Sequence, residues 1–128
     1  MSYESNLLGA KTNYPFDRWR EGEAHGLDQY TEENCNAARA IFDKLIAQLI
    51  NLGESASEEN KMAQFKIAVE SLNDLNDEAG GAESGGELIE TGERDDLCEL
   101  VNIIAKKSGI DPKKYGSGEG PASEWRDW

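Results

Sequence analysis

Apolar side chains recur at steps of three and four residues in three segments of the chain, which is the spacing of an amphipathic helix. The first segment, residues 32–52, follows Thr31, a residue type that caps helix N-termini, and it stops at Gly53. Its apolar stripe consists of Ala38, Ile41, Phe42, Leu45, Ile46, Leu49 and Leu52. This pattern predicts one long helix with a single face turned to the core.

A second amphipathic segment follows after a short connection. Residues 58–77 begin after Ser57, another capping residue type. Their apolar stripe consists of Met62, Phe65, Ala68, Val69, Leu72 and Leu75. Because only residues 53–57 join the two segments, the two helices should pack as an antiparallel hairpin.

The third amphipathic segment, residues 92–108, has Thr91 as its expected cap and Gly109 as its end. Its inward stripe consists of Leu97, Leu100, Val101, Ile104 and Ala105. Ile110 then stands where a Schellman cap places its hydrophobic contact. Between the second and third segments, residues 79–90 are rich in glycine and acidic residues, and this composition predicts a mobile loop.

Residues 1–30 show no sustained period and predict an irregular arm. The arm contains Tyr14, Phe16 and Trp19, whose rings are costly to leave in water. We therefore expect the arm to lie across the helices as a strap that seals one face of the core.

The tail of the chain, residues 110–128, has a similar lack of pattern. Its glycine-rich residues 116–120 predict a flexible link. Ser123 predicts a cap for one last helical turn, on which Trp125 and Trp128 would share a face. These two tryptophans either clamp back over the helices or serve as anchors for a partner.

Together these elements predict an all-α fold, a small helical bundle of three principal helices with an irregular N-terminal strap and a short C-terminal helical turn. A length of 128 residues suits one domain. The expected parts of that domain are the arm (1–30), the helix hairpin (31–78), the glycine and acid-rich loop (79–90), the third helix (91–109) and the tail (110–128).

The net charge of the chain limits the classes of partner that it is expected to bind. The formal net charge is −13, and residues 54–99 alone carry fourteen acidic and three basic side chains. Such an excess repels nucleic acid and anionic membranes, so direct binding to either is not expected. Folding should gather the acidic residues on one face, which either only keeps the protein soluble or binds a basic protein. The residues expected to bind that partner are Glu83, Glu87, Glu90, Glu93, Asp95, Asp96, Glu99, Trp125 and Trp128.

Other chemistries find less support in the sequence. Glu90, Glu93, Asp96 and Glu99 recur at three-residue steps and could coordinate a divalent cation, but metal sites usually also need loop oxygens in a set order. Cys35 and Cys98 fall within helical patterns and predict inert buried thiols, and the only histidine is His25 in the arm. No cofactor and no catalytic set are expected.

The sequence therefore predicts a non-enzymatic acidic protein that binds and inhibits a basic protein partner, as immunity proteins and antitoxins do, an analogy of physical type only. The alternatives are a carboxylate-based metal-binding module, a DNA mimic that occupies a nucleic-acid-binding protein, and a structural helical protein that self-associates. No run of about 18 apolar residues occurs, and the first residues lack the pattern of a signal peptide. A cytoplasmic location is the resulting expectation.

Overall fold

The computed structural model describes residues 2–23, 31–80, 89 and 91–128, and it confirms an all-α fold. Three long helices dominate: α3 (Glu32–Leu52), α4 (Glu58–Gly80) and α5 (Thr91–Lys107). The shorter helices are α1 (Tyr3–Gly9), α2 (Phe16–Glu23) and α6 (Ala122–Trp125), with 3₁₀ turns at Ala10–Asn13, Pro112–Lys114 and Gly116–Gly118. None of the described residues forms a strand.

The hairpin of α3 and α4 has the predicted caps. The Thr31 hydroxyl accepts a hydrogen bond from the Asn34 backbone N–H at 3.1 Å, and the Ser57 hydroxyl accepts one from Asn60 at 3.1 Å. Gly53 ends α3 with a φ of 85°, a conformation that glycine adopts without a steric penalty. Helix α4 continues to Gly80, three residues beyond the predicted end, so the first residues of the expected loop are helical. The remaining loop residues, 81–88 and 90, lie outside the described residues.

The end of α5 is the predicted Schellman cap. Ile110 N–H donates to the Ala105 carbonyl at 2.9 Å, and Gly109 N–H donates to the Lys106 carbonyl at 3.1 Å. Gly109 supplies the positive φ, at 93°, and Ile110 is buried. This cap returns the chain toward α4, where the tail begins.

The prediction of an irregular arm was wrong, since α1 and α2 occupy most of residues 2–23. Ser2 and Ser5 form a reciprocal capping box that starts α1. Helices of seven and eight residues contain too few turns to display a period, and their stability comes from packing. The aromatic seal itself is confirmed: the Phe16 ring lies edge-on to Trp19 at 5.2 Å between centroids, and both side chains are buried.

The prediction of a flexible link at residues 116–120 was also wrong. The segment forms a hydrogen-bonded turn, in which Gly120 N–H donates to the Tyr115 carbonyl at 3.0 Å. A Cβ at Gly120 would overlap the Asn102 side chain, so this glycine lets the turn approach α5 closely. The turn leads into α6, which contacts both α4 and α5.

The buried apolar side chains of α1 to α6 form one cluster. The arm helices α1 and α2 pack on α3, and α1 also reaches α5. The tail contacts both remaining long helices, bonding to α4 through Asn73 and to α5 through Asn102. The seam between α3 and α4 therefore keeps an outer side that no other described element covers.

Candidate partner-binding surface

The acidic residues of α5 separate into two kinds. Asp95 and Glu99, one turn apart, are exposed and point outward. Glu93 and Asp96 are half-buried, and both make interactions within the fold. Glu83, Glu87 and Glu90 lie outside the described residues. The structure thus leaves Asp95 and Glu99 as the accessible carboxylates among the described members of the predicted set on this helix.

Asp96 is held by the arm. Its carboxylate forms a 2.8 Å salt bridge with Arg18 and accepts a 3.1 Å hydrogen bond from the indole N–H of Trp19. Charge-assisted hydrogen bonds of this kind are stronger than neutral ones. Asp96 therefore fastens α2 to α5, a role that the sequence pattern did not indicate.

The tail brings a further carboxylate, that of Glu119, to this helix. The amide of Asn102 on α5 donates to the Glu119 backbone carbonyl at 3.1 Å. Burial raises the pKa of the Cys98 thiol, and the carboxylates of Asp95 and Glu119 add smaller contributions in the same direction. Both carboxylates consequently lie close to one side chain of α5, although 24 positions separate them in the sequence.

The other flank of the tail lies against α4. The side-chain amide of Asn73 makes two hydrogen bonds to the tail. Its nitrogen donates to the Trp125 carbonyl at 3.0 Å, and its oxygen accepts from the Asp127 N–H at 3.1 Å. Glu70 and Asp77, three residues before and four after Asn73, lie on the same side of α4 and are exposed. Six of the exposed carboxylates on α4, the tail and α5 are here called the acidic surface: Glu70, Asp77, Asp95, Glu99, Glu119 and Asp127.

Arg126, which the tail carries besides Lys113 and Lys114, lies beside Glu119, and its charge is already engaged. Its guanidinium lies 5.7 Å from the centroid of the Trp128 ring, donates to the Trp128 carbonyl oxygen at 2.6 Å and approaches the Glu119 carboxylate at 4.0 Å. Trp128 itself is 5% exposed and Trp125 is half-buried. Of the two alternatives for the tryptophans, this arrangement is the clamp, with Trp128 in the core.

A cavity of about 320 Å³ opens beside the acidic surface, between the arm and α5. Its apolar lining comes from Pro15, Leu100 and Ile103, and its charged lining from Arg18, Asp96 and Glu99. No side chain of the described part of the chain bonds to the Glu99 carboxylate. The cavity thus combines an apolar wall with one uncommitted negative charge.

A second and larger cavity, about 500 Å³, lies between α3 and α4. Its lining includes Ile41, Leu45, Ile67 and Ala68, and its single charged residue is Lys44. No carboxylate lines it. The two cavities therefore differ in character, one apolar and the other charged.

Within the described ranges, no group of three or more histidine, cysteine or acidic side chains is placed to hold a metal ion. Cys35 is buried and Cys98 half-buried, and neither is in a disulfide. No helix in these ranges is long and apolar enough to cross a membrane. Comparisons of the chain with models of protein families, with curated proteins and with solved structures find no match.

Proposed function

We propose that this chain is a non-enzymatic interaction protein that binds a basic protein through the acidic surface and inhibits it by covering its basic site, in the manner of an immunity protein or antitoxin. The observation that carries the proposal is the pair of exposed carboxylates on α5, Asp95 and Glu99, which the tail extends with Glu119 and Asp127. These carboxylates come from distant parts of the sequence: Asn102 holds the backbone of Glu119 on α5, and Asn73 holds the backbone of Asp127 on α4.

The physical advantage of such a surface is fast and selective encounter. A concentrated negative potential raises the association rate with a positive patch by about 10- to 1,000-fold and repels acidic competitors. It also has a cost, because like charges held close together destabilise the folded state. The Arg126 guanidinium, 4.0 Å from the Glu119 carboxylate, offsets part of the negative potential at that residue, so the proposal rests chiefly on Asp95 and Glu99.

The cavity beside Glu99 supplies a second element of recognition. A lysine or arginine side chain of the partner could lay its aliphatic stem against Leu100 and Ile103 while its charged end reaches the Glu99 carboxylate. Arginine is enriched among the residues that contribute most to binding energy, and such residues sit in pockets. The cavity therefore favours a partner that inserts one cationic side chain.

The rigidity of the surrounding structure also supports binding. Asp96 fixes the arm at the cavity, and Asn73 fixes the tail on α4. A preorganised surface loses less conformational entropy when it binds. Asp96 and the tail thus hold the acidic surface in place without contacting the partner directly.

Affinity capture from a lysate of the protein's own source tests the proposal. Wild-type protein, immobilised, should retain one basic protein that is released as salt rises. The Asp95→Asn/Glu99→Gln double variant should release the same protein at lower salt. A matched control, Glu33→Gln/Glu54→Gln, removes two exposed negative charges away from the acidic surface and should behave as wild type. Equal release from all three proteins would contradict the proposal.

A further inference from the structure

A further cavity, of about 570 Å³, opens where the tail meets the first turn of α4. Its apolar lining consists of Met62 on α4 and of two aromatic residues of the tail, Tyr115 and Trp125. Both aromatic side chains are half-buried, so each keeps part of its surface accessible from the cavity. The proposed function leaves this cavity unused, and none of its lining residues belongs to the acidic surface.

The charged lining of this cavity is mainly negative. Glu58 and Glu59 belong to the first turn of α4, Glu124 belongs to α6, and all three are exposed. Lys114 is the only basic residue of the lining, and within the described ranges it forms no salt bridge with these carboxylates. Three carboxylates and one ammonium give the lining a net charge of −2, which favours a cation as the occupant.

Two of the carboxylates are held in place by donors of the tail. Glu58 accepts a hydrogen bond from the Tyr115 hydroxyl at 2.6 Å, and Glu124 accepts one from the Gly116 N–H at 2.7 Å. The hydrogen bond to Glu58 raises the pKa of Tyr115, and the charge of Glu124 adds a smaller contribution in the same direction, so the Glu124 carboxylate also lies near this hydroxyl. The negative charges are thus fixed beside an aromatic residue before any ligand arrives, which lowers the entropic cost of binding.

The combination of aromatic surface and fixed charge selects one class of cation. An ammonium with N–H groups is strongly hydrated and needs several acceptors to replace its water. A divalent metal needs converging oxygen ligands, and within the described ranges no group of three or more acidic side chains is placed to supply them. A quaternary ammonium donates no hydrogen bonds, and its charge is attracted to aromatic faces. It therefore matches a cavity whose carboxylates are partly engaged and whose apolar wall is aromatic.

We propose that this cavity binds a quaternary ammonium group, with Tyr115 and Trp125 against its methyl groups and with Glu59 and Glu124 supplying the opposite charge. The recognised chemistry is a trimethylammonium group, carried either by a free compound such as choline or by a trimethylated lysine side chain. Binding at this site does not require the acidic surface, because the two share no residue.

An NMR titration of the purified protein with choline at constant ionic strength tests the proposal. Choline should shift the indole resonance of Trp125 saturably, and this resonance is identified by its absence in the Trp125→Leu variant. Dimethylbutanol, in which a carbon atom replaces the charged nitrogen, should bind at least about fivefold more weakly. A peptide carrying trimethylated lysine should also bind, and the same peptide with unmodified lysine should bind more weakly. Comparing that peptide with choline distinguishes a protein side chain from a free compound as the source.

Two further variants separate a specific site from a general effect of charge. Glu59→Gln removes one lining carboxylate that forms no hydrogen bond or salt bridge with the described residues, and it should raise the dissociation constant for choline about twofold or more. Glu33→Gln is the matched control, since it removes an exposed carboxylate from the first turn of α3, and it should bind choline as wild type does.

Trp125→Leu keeps an apolar side chain but removes the aromatic face, so it should weaken choline binding about fivefold or more, as followed by the backbone resonances of the cavity. Circular dichroism checks that the variants are folded, and Glu59→Gln provides the test if Trp125→Leu is not. The proposal is overturned if choline produces no saturable shift in the wild type, if dimethylbutanol binds as tightly as choline, or if Glu33→Gln weakens binding as much as Glu59→Gln does.

Discussion

Trp19 and Asp96, 77 positions apart in the sequence, are joined by a hydrogen bond of 3.1 Å from the indole N–H to the carboxylate. Arg18, the neighbour of Trp19, reaches the same carboxylate at 2.8 Å. The arm is therefore attached to α5 through a residue in the middle of the acidic segment. This attachment connects the stability of the fold to the shape of the cavity beside Glu99.

Replacing Asp96 by alanine should destabilise the protein by about 1–3 kcal/mol, because it removes two charge-assisted hydrogen bonds at a half-buried position. Asp95→Ala, at the exposed neighbouring position, should change stability by less than about 0.5 kcal/mol. Urea unfolding of both variants measures the difference. Equal losses of stability in the two variants would show that Asp96 does not hold the arm.

Among the lysines of the described residues, Lys61 should be the one whose replacement destabilises the fold most. Its side chain is buried, and its ammonium donates to the backbone carbonyls of Glu54 at 2.9 Å and Ser108 at 2.7 Å and lies 5.2 Å from the centroid of the Tyr3 ring. Lys61→Met should therefore cost about 2–3 kcal/mol, since it leaves a buried carbonyl without its charged donor. Lys66→Met, exposed on the same helix, is the control and should be nearly neutral. Thermal and urea unfolding compare the two.

Replacing Trp128 by alanine should lower the free energy of unfolding, because Trp128 belongs to the core and is not a partner contact. Trp128→Ala empties a site that is 5% exposed and removes the surface on which Arg126 stacks, at a cost of about 3–5 kcal/mol. The change is measured by urea unfolding. A variant of unchanged stability that no longer captures the partner would instead make Trp128 a partner anchor.

Tyr115 should give the folded state a dependence on alkaline pH. Its hydroxyl donates to the Glu58 carboxylate at 2.6 Å, and this hydrogen bond raises the pKa of Tyr115 from 10 to about 12. Because the folded pKa lies above the unfolded one, the contribution to stability is complete below pH 10 and is lost as pH rises through 12. Tyrosinate absorbance measures the titration, and Glu58→Gln should return the pKa of Tyr115 toward 10. An unchanged titration in that variant would contradict this assignment.

The three long helices could be predicted from the sequence because each carries a periodic stripe and at least one cap; at α5 this is the C-terminal cap, since Thr91, the expected N-cap, is the first residue of the helix. Thr31 and Gly53 delimit α3 where the pattern placed its ends, and Gly109 with Ile110 forms the predicted Schellman cap. The arm could not be predicted in the same way. Helices as short as α1 and α2 depend on tertiary packing, such as that of Phe16 on Trp19, and packing between distant segments leaves no local pattern.

The acidic surface was predictable only in part. Net charge along the chain indicated α5, but it could not separate exposed Asp95 from Asp96, because the partner of Asp96 is on a remote helix. It also could not indicate Glu119, which the Asn102 amide brings to α5 from a segment with no charge excess. The groove between α3 and α4 was hidden for a related reason: Ile67 lies outside the core stripe, and its exposure depends on how the two helices cross.

The salt dependence of the dissociation constant of the captured basic partner tests most directly whether the acidic surface binds it. For the wild type we expect affinity to fall by at least about tenfold between low and high salt, mainly through a slower association rate. The Asp95→Asn/Glu99→Gln variant should bind more weakly at low salt and show a shallower dependence, because it has fewer charges to screen. A dissociation constant that does not change with salt, or that is equal for the two proteins, would contradict the account.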